Sequence, residues 1–187
     1  MNKKIIRQTP FGPVAIIWAE AAGRPIIARI LLSREELPAD RQAVQLYPQA
    51  QATSCAEIES VAGAIKAILG GEDVMIPLQV ADLASCPAFQ QSVLRAEYGI
   101  PRGRVSTYRL IAAHLGKPTG ARAVGNALAN NPFPLIVPCH RAIRSDGHLG
   151  GYQGGLAMKR ALLAQEGVQF DQAGRVVCDR FHYQGKN

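Results

Sequence analysis

The stretch Asn131-Pro-Phe-Pro-Leu-Ile-Val-Pro-Cys-His-Arg141 constrains this chain more than any other. Its apolar run Leu135-Ile136-Val137 has the length of a short buried strand. Pro138 stops that run, because its ring removes an N–H and pushes Val137 away from helical geometry. A thiol, an imidazole and a guanidinium (Cys139, His140 and Arg141) therefore follow one another where buried chain turns. The thiolate is the nucleophilic form of cysteine, and neighbouring His and Arg charge lowers a cysteine pKa. The competing reading is a packed small hydrophobe, since free cysteine is among the most buried residue types.

The four cysteines, at 55, 86, 139 and 178, contain no C-x-x-C pair. An intracellular chain of 187 residues has little need of a disulfide framework, and zinc-ligand spacing is absent, so no metal and no cofactor are expected. No apolar run approaches the roughly 18 residues of a membrane span. The basic start Met1-Asn-Lys-Lys-Ile-Ile-Arg7 is not followed by the apolar segment of a signal peptide. The expected location is the cytoplasm, or the nucleus in a eukaryote, with no membrane partner.

Charge is spread unevenly. Residues 95–141 carry seven Lys/Arg against Glu97 alone, a net of +6 out of +7 for the whole chain. Such a segment is either a solvated face or a surface for a polyanion, of which nucleic-acid phosphates are the usual large example.

In chain order, Val14–Ala19 and Ile26–Leu32 read as a hairpin, and residues 33–53 as loop with a weak helix. Ser54–Leu69 reads as a helix with Ser54 as N-cap and Ile58, Val61, Ile65 and Leu69 on one face. Val74–Val80 reads as an edge strand because of Pro77. Beyond Cys86-Pro87, a helix spans Phe89–Glu97. Ser106 or Thr107 caps Tyr108–Leu115, and Thr119 caps a second helix bearing Ala121, Val124 and Leu128. These two short helices form a helix-turn-helix or an ordinary helical hairpin. Leu156–Glu166 reads as a helix stopped by Gly167. Its Glu166 opposes the helix dipole at a cost of about a few tenths of a kcal/mol, a modest pointer to a role elsewhere. Residues 168–183 read as a closing hairpin around Gln172-Ala-Gly174.

Four motifs stand in order: Ile100-Pro-Arg-Gly-Arg-Val-Ser-Thr-Tyr108, Ala121-Arg122-Ala-Val-Gly125, Pro138-Cys139-His140-Arg141, and Gly150-Gly-Tyr152-Gln-Gly-Gly155 with Leu163-Ala-Gln-Glu166-Gly167. Together they resemble the O6-alkylguanine-DNA alkyltransferases, the methylated-DNA–protein-cysteine methyltransferases, densely over residues 86–168 and thinly before. The resemblance implies an α+β fold: a small N-terminal sheet-plus-helix domain, 1–84, then a helical C-terminal domain, 85–187. The second would hold the helix-turn-helix and the active-site cysteine. It implies single-turnover transfer of an alkyl group, a methyl above all, from O6-alkylguanine in double-stranded DNA to Cys139, with base flipping. O4-alkylthymine is a second candidate lesion, and the protein would act as a monomer without an obligate protein partner.

By the same resemblance His140 is the base, Glu166 orients it, Tyr108 donates toward the guanine, and Asn131 ties the second helix to the cysteine turn. Arg122 would fill the gap left by the extruded base, with Thr119, Ala121 and Arg141 also at the DNA. Tyr152, Gln153, Gly154, Val137 and Pro138 would line the base pocket. Gln153 departs from the serine frequent at that position, which bears on lesion range. A helix-turn-helix regulator with a structural or redox-sensing Cys-His pair, and a Cys-His hydrolase, are the alternatives from other classes.

Overall fold

In the computed structural model, which describes residues 2–185, the β-branched runs near the start of the chain pair as a hairpin. The chain begins with β1 (Lys3–Arg7), followed by β2 (Val14–Ala21) and β3 (Arg24–Leu32). The β2–β3 turn is Ala22-Gly23, both at positive φ (50° and 72°), the mirror-image turn whose twist matches that of paired strands. β1 escapes the sequence reading because Lys3, Lys4 and Arg7 mask its single well-buried side chain, Ile5. It lies antiparallel to β2 and parallel to β4 (Gln51–Ala52), giving the order β3-β2-β1-β4. From Val14 to Trp18 every residue of β2 is buried, so this strand is covered on both faces.

Ala39 and Ala43 of α1 (Ala39–Leu46) share a cluster with Ala15, Ile17 and Leu31. In α2 (Ala56–Leu69) the residues at helical spacing are buried as their pattern implies. Ser54 is not its N-cap: Cys55 holds that position in extended backbone and makes no side-chain cap bond. Val74–Val80 is not a strand either. Pro77 has no amide for a ladder, and Leu78–Val80 forms one 3₁₀ turn.

The chain divides into two compact units, one comprising residues up to Leu83 with Pro132–Ile136, the other Ala84–Asn131 with the chain from Val137 onward. The second unit holds α3 (Ala88–Tyr98), β5 (Ser106–Thr107), α4 (Tyr108–His114), α5 (Ala121–Ala129) and β6 (Ala142–Ile143). After these come α6 (Gly155–Gln165), β7 (Gln169–Phe170) and β8 (Val176–Val177), the last two forming the expected closing hairpin. Thr107 caps α4, accepting from the Leu110 amide at 3.2 Å. Thr119 does not cap α5, because Gly120 stands between it and the helix and takes the N-cap position.

Leu135-Ile136-Val137 is the largest departure. Leu135 and Ile136 turn, with Leu135 at φ 74°, a backbone region that is uncommon for a branched side chain. Pro132, Pro134 and Pro138 lack the amides of a ladder, so burial there proceeds without a strand. The Pro132 carbonyl instead accepts from the Ile30 amide at 2.8 Å. Among the described residues no helix is long and apolar enough to cross a membrane.

Candidate active site

Cys139 begins a 3₁₀ turn, Cys139–Arg141, closed by the Cys139 amide on the Val137 carbonyl and the Arg141 amide on that of Pro138, both at 2.8 Å. The residue is 5% exposed and stands on the wall of a cavity of about 290 Å³, with Tyr108, Leu128, Arg144, Tyr152 and Gln153 among the other walls. Burial pushes the thiol up to about 11, against a hydrogen bond from the Asn131 side chain that favours the thiolate. The Asn131 amide also donates to the Val137 carbonyl at 3.3 Å, so one side chain braces both the turn and the sulphur. The expectation that His140 and Arg141 lower the thiol is therefore corrected: burial outweighs every opposing influence.

Both of those side chains are turned to Glu166. The His140 ring is almost fully buried, with Nε2 2.8 Å from Glu166 Oε1. Arg141 donates through Nε to Oε1 and Oε2 at 3.2 and 2.9 Å and through Nη2 to Oε1 at 2.8 Å. Its Nη1 reaches the Ile100 carbonyl at 2.7 Å. Arg141 is thus fixed inside the protein, which corrects its assignment to DNA. Burial alone would raise the Glu166 carboxyl; the bonds from His140 and Arg141 overturn that and hold it at about 2. Those donors account for a glutamate at the C-cap of α6, where the helix dipole disfavours it.

Burial also lowers the His140 pKa, against the pull of Glu166, so the ring is neutral at pH 7. An ionised Glu166 only accepts, so Nε2 carries the hydrogen and Nδ1 is the bare acceptor. That Nδ1 meets no partner among the described residues.

Tyr108 is the first residue of α4, and the parallel pairs Ser106↔Ala142 and Thr107↔Ile143 set it beside the end of the cysteine turn. Its ring lies against Gly150, where φ is 70° and a Cβ would stand 2.6 Å from the phenol oxygen; only glycine fits. Burial, with Glu97 and Cys139 adding to it and Arg144 opposing, raises the phenol to about 12, so it stays a donor.

Tyr152 lies edge-on to His140 with ring centroids 6.2 Å apart. Gln153 donates to the carbonyls of Asn131 at 2.5 Å and Ala129 at 3.2 Å. Val137, Pro138 and Gly154 are not among the cavity's lining residues; Val137 and Pro138 are buried in the turn, and Gly154 is the N-cap of α6. Thr119 and Arg122 are exposed at the start of α5, with Ala121 half-buried, while Gly125, Leu128 and Ala129 further along the same helix line the cavity.

Residues 88–168 match the family model of the 6-O-methylguanine DNA methyltransferase DNA-binding domain. The chain is 35% identical over 164 residues to the methylated-DNA–protein-cysteine methyltransferase of Methanosarcina barkeri, covering 86% of this chain and 94% of that protein. The chain belongs to the methylated-DNA–protein-cysteine methyltransferase family. It is also 44% identical over 114 residues to the Methanothermobacter thermautotrophicus protein of that name, covering 61% of this chain and 64% of that one. The matched part spans 55% of the Pyrobaculum aerophilum member. The crystal structure of Mycobacterium tuberculosis OGT in complex with DNA superposes with a TM-score of 0.67 at 31% identity, over 88% of this chain and 91% of that one.

Within this family member, three site residues went unseen in the sequence reading. Lys159 is fully buried and donates to the carbonyls of Ala142, Leu149 and Gly151 at 2.7, 2.5 and 3.3 Å, fastening the loop that holds Gly150. Glu97 is equally buried, and the Ala142 backbone offers its carboxyl only a weak hydrogen bond, short of good geometry. Burial raises Glu97 to about 8, against the attraction of Lys159 and Arg141, and lowers Lys159 to about 8. A signal existed for both. Lys159 shares a helix face with Leu162 and Leu163, and Glu97 shares one with Val93 and Leu94, so each charge stands at an apolar position of its helix. Arg144, on the cavity wall, had none.

Proposed function

We propose that the protein repairs DNA by moving the alkyl group of O6-alkylguanine irreversibly onto its own Cys139, once per molecule. The observation that carries this reading is a thiol on the wall of a 290 Å³ cavity, followed in the chain by a buried histidine whose Nε2 is held by a carboxylate. The bond from the alkyl carbon to guanine O6 breaks, an S–C bond forms, and the thiol proton ends on the released guanine. A soft sulphur nucleophile suits attack at an sp³ carbon. The thioether is not hydrolysed, so there is no second turnover.

His140 takes the thiol proton at Nδ1, directly or through water, while Glu166 fixes the tautomer and favours the imidazolium. Tyr108 donates to the guanine as it gathers charge. Asn131 steadies sulphur and turn together, and Tyr152 and Gln153 form the wall beside the base. Burial pushes the resting thiol up to about 11, so it enters the reaction protonated and gives its proton to His140 as the sulphur attacks.

The same reading makes α4 and α5 a helix-turn-helix that meets duplex DNA. Support comes from the net charge of +6 over residues 95–141 and from the exposure of Arg122 at the start of α5. Extruding a base costs a few kcal/mol, and Arg122 fills the space it leaves, with Thr119 and Ala121 beside it on the backbone. Residues 1–84 serve as scaffold and 85–187 as the DNA-binding and alkyl-acceptor part. O4-alkylthymine is a secondary lesion for the same cavity. The test is the mass of the protein after incubation with O6-methylguanine duplex. One methyl mapped to Cys139 is expected. An unchanged mass with tight DNA binding would leave a DNA-binding regulator in its place.

A further inference from the structure

The cavity beside Cys139 is walled chiefly by uncharged groups, and Arg144 alone of its lining residues carries a full charge. At about 290 Å³ its volume is on the order of ten water molecules' share of liquid, which leaves room around a base for more than a methyl substituent. Arg144 is carried on a built turn: its amide donates to the His148 carbonyl at 2.9 Å, its carbonyl accepts from Gly147 at 3.1 Å, and Gly147 is tied to Val176 at 2.9 Å. The guanidinium is aimed by Asp146, whose Oδ2 accepts from Nε at 3.1 Å and Nη2 at 2.8 Å. Nη1 donates to nothing among the described residues, and the side chain is 60% exposed. A guanidinium steadied on one edge and open on the other is suited to a second oxyanion.

We propose that Arg144 receives an oxyanion that arrives with the lesion, either the carboxylate of an O6-carboxyalkyl adduct or a phosphate flanking the extruded nucleotide. This rests on the alkyl-transfer reading and adds to it a residue that selects among substrates. With a carboxylate on the adduct, the acid would sit against Arg144 while its α-carbon faces the Cys139 sulphur. Bond-making is unchanged: S–C forms, C–O6 breaks, and the carboxylate stays ionised throughout.

Single-turnover rates of the wild type, Arg144→Met and Arg144→Lys are measured on three substrates: duplex O6-carboxymethylguanine, duplex O6-methylguanine and free O6-methylguanine base. A charge-assisted bond lost on Arg144→Met corresponds to a drop of about tenfold or more. If the adduct carboxylate is the ligand, the carboxymethyl-to-methyl rate ratio on duplex falls by that factor, and Arg144→Lys restores part of it. If the ligand is a phosphate, both duplex rates fall together relative to the free base. Ratios within twofold of wild type on all three substrates, or a uniform loss that includes the free base, overturn the proposal. A wild-type protein inert toward every substrate instead defeats alkyl transfer itself, and this inference with it.

Discussion

The sheet and the shell around Cys139 are both buried, yet they are built on opposite rules. In the sheet the interior is Val14, Ile16, Ile17, Trp18 and Ile30. The two buried polar side chains of that unit, Ser33 and Gln42, bond to backbone groups through their hydroxyl and amide. Around Cys139 the interior holds Glu97, His140, Lys159 and Glu166, and His140 Nδ1 and the Tyr152 hydroxyl meet no hydrogen-bond partner among the described residues. Buried polar groups are normally satisfied, and exceptions concentrate where chemistry is done. One region is optimised for persistence and the other tolerates electrostatic tension.

That contrast is open to experiment, and the largest effect is expected at the sulphur. Cys139→Ser should lose all transfer while binding duplex DNA, because a serine hydroxyl is scarcely ionised near neutral pH. Methyl found on Cys55, Cys86 or Cys178 by mass spectrometry would sink the assignment. In the sheet, Ile30→Ala should cost about 2–5 kcal/mol in denaturant unfolding, as large-to-small core changes do. Transfer per folded molecule should be kept, and a matching loss of transfer would erase the division between the regions. Arg122→Ala should slow transfer from duplex by about tenfold relative to transfer from the free base, since only the duplex route needs extrusion to be stabilised. Equal losses on both substrates would make Arg122 structural.

A subtler effect follows from Glu97. Its folded pKa of about 8 exceeds the ordinary 4.5, so between those values the native state binds more protons than the unfolded chain. Stability from this group therefore falls as pH rises through that window. His140, lowered by burial, works with the opposite sign, so the useful quantity is the difference between wild type and Glu97→Gln, which share His140. That difference should shift against the wild type between pH 5 and 8; a pH-independent difference would show that Glu97 is ionised throughout. The smallest effect is that of methylation. The cavity accommodates the added group, leaving mainly a weakened contact of the Asn131 side chain with the sulphur, about 1 kcal/mol or a Tm drop of about 2–4 °C. Calorimetry before and after reaction measures it, and a drop beyond 10 °C would mean that the cavity does not open at the sulphur.

The contrast also explains what was legible in the sequence. The β2–β3 hairpin, α2 and the Thr107 cap follow local rules, and their residues announce them. Glu166 announced itself by standing against its helix dipole. Arg141 stood at the DNA only by resemblance, and its guanidinium closes on Glu166, a partner 25 residues away that no local pattern reveals. Apolarity misled for Leu135–Val137, where three prolines remove the ladder that a strand requires. Glu97 and Lys159 were hidden because a charge at an apolar helix position acquires meaning only once the opposing groups are known. In the sequence, Arg122 is one surface arginine among several, and only its position at the start of α5 distinguishes it.

The buried, high-pKa thiol has one more consequence, which concerns time. On the proposed single-turnover transfer the protein is a stored dose, and its value lies in surviving until a lesion appears. Thiolate character and exposure govern oxidation and attack by soluble electrophiles, and Cys139 offers little of either at rest. On the same reading, a thiol that is buried and held protonated would resist discharge by peroxide or stray alkylating agents in solution and be reserved for a base delivered into the cavity.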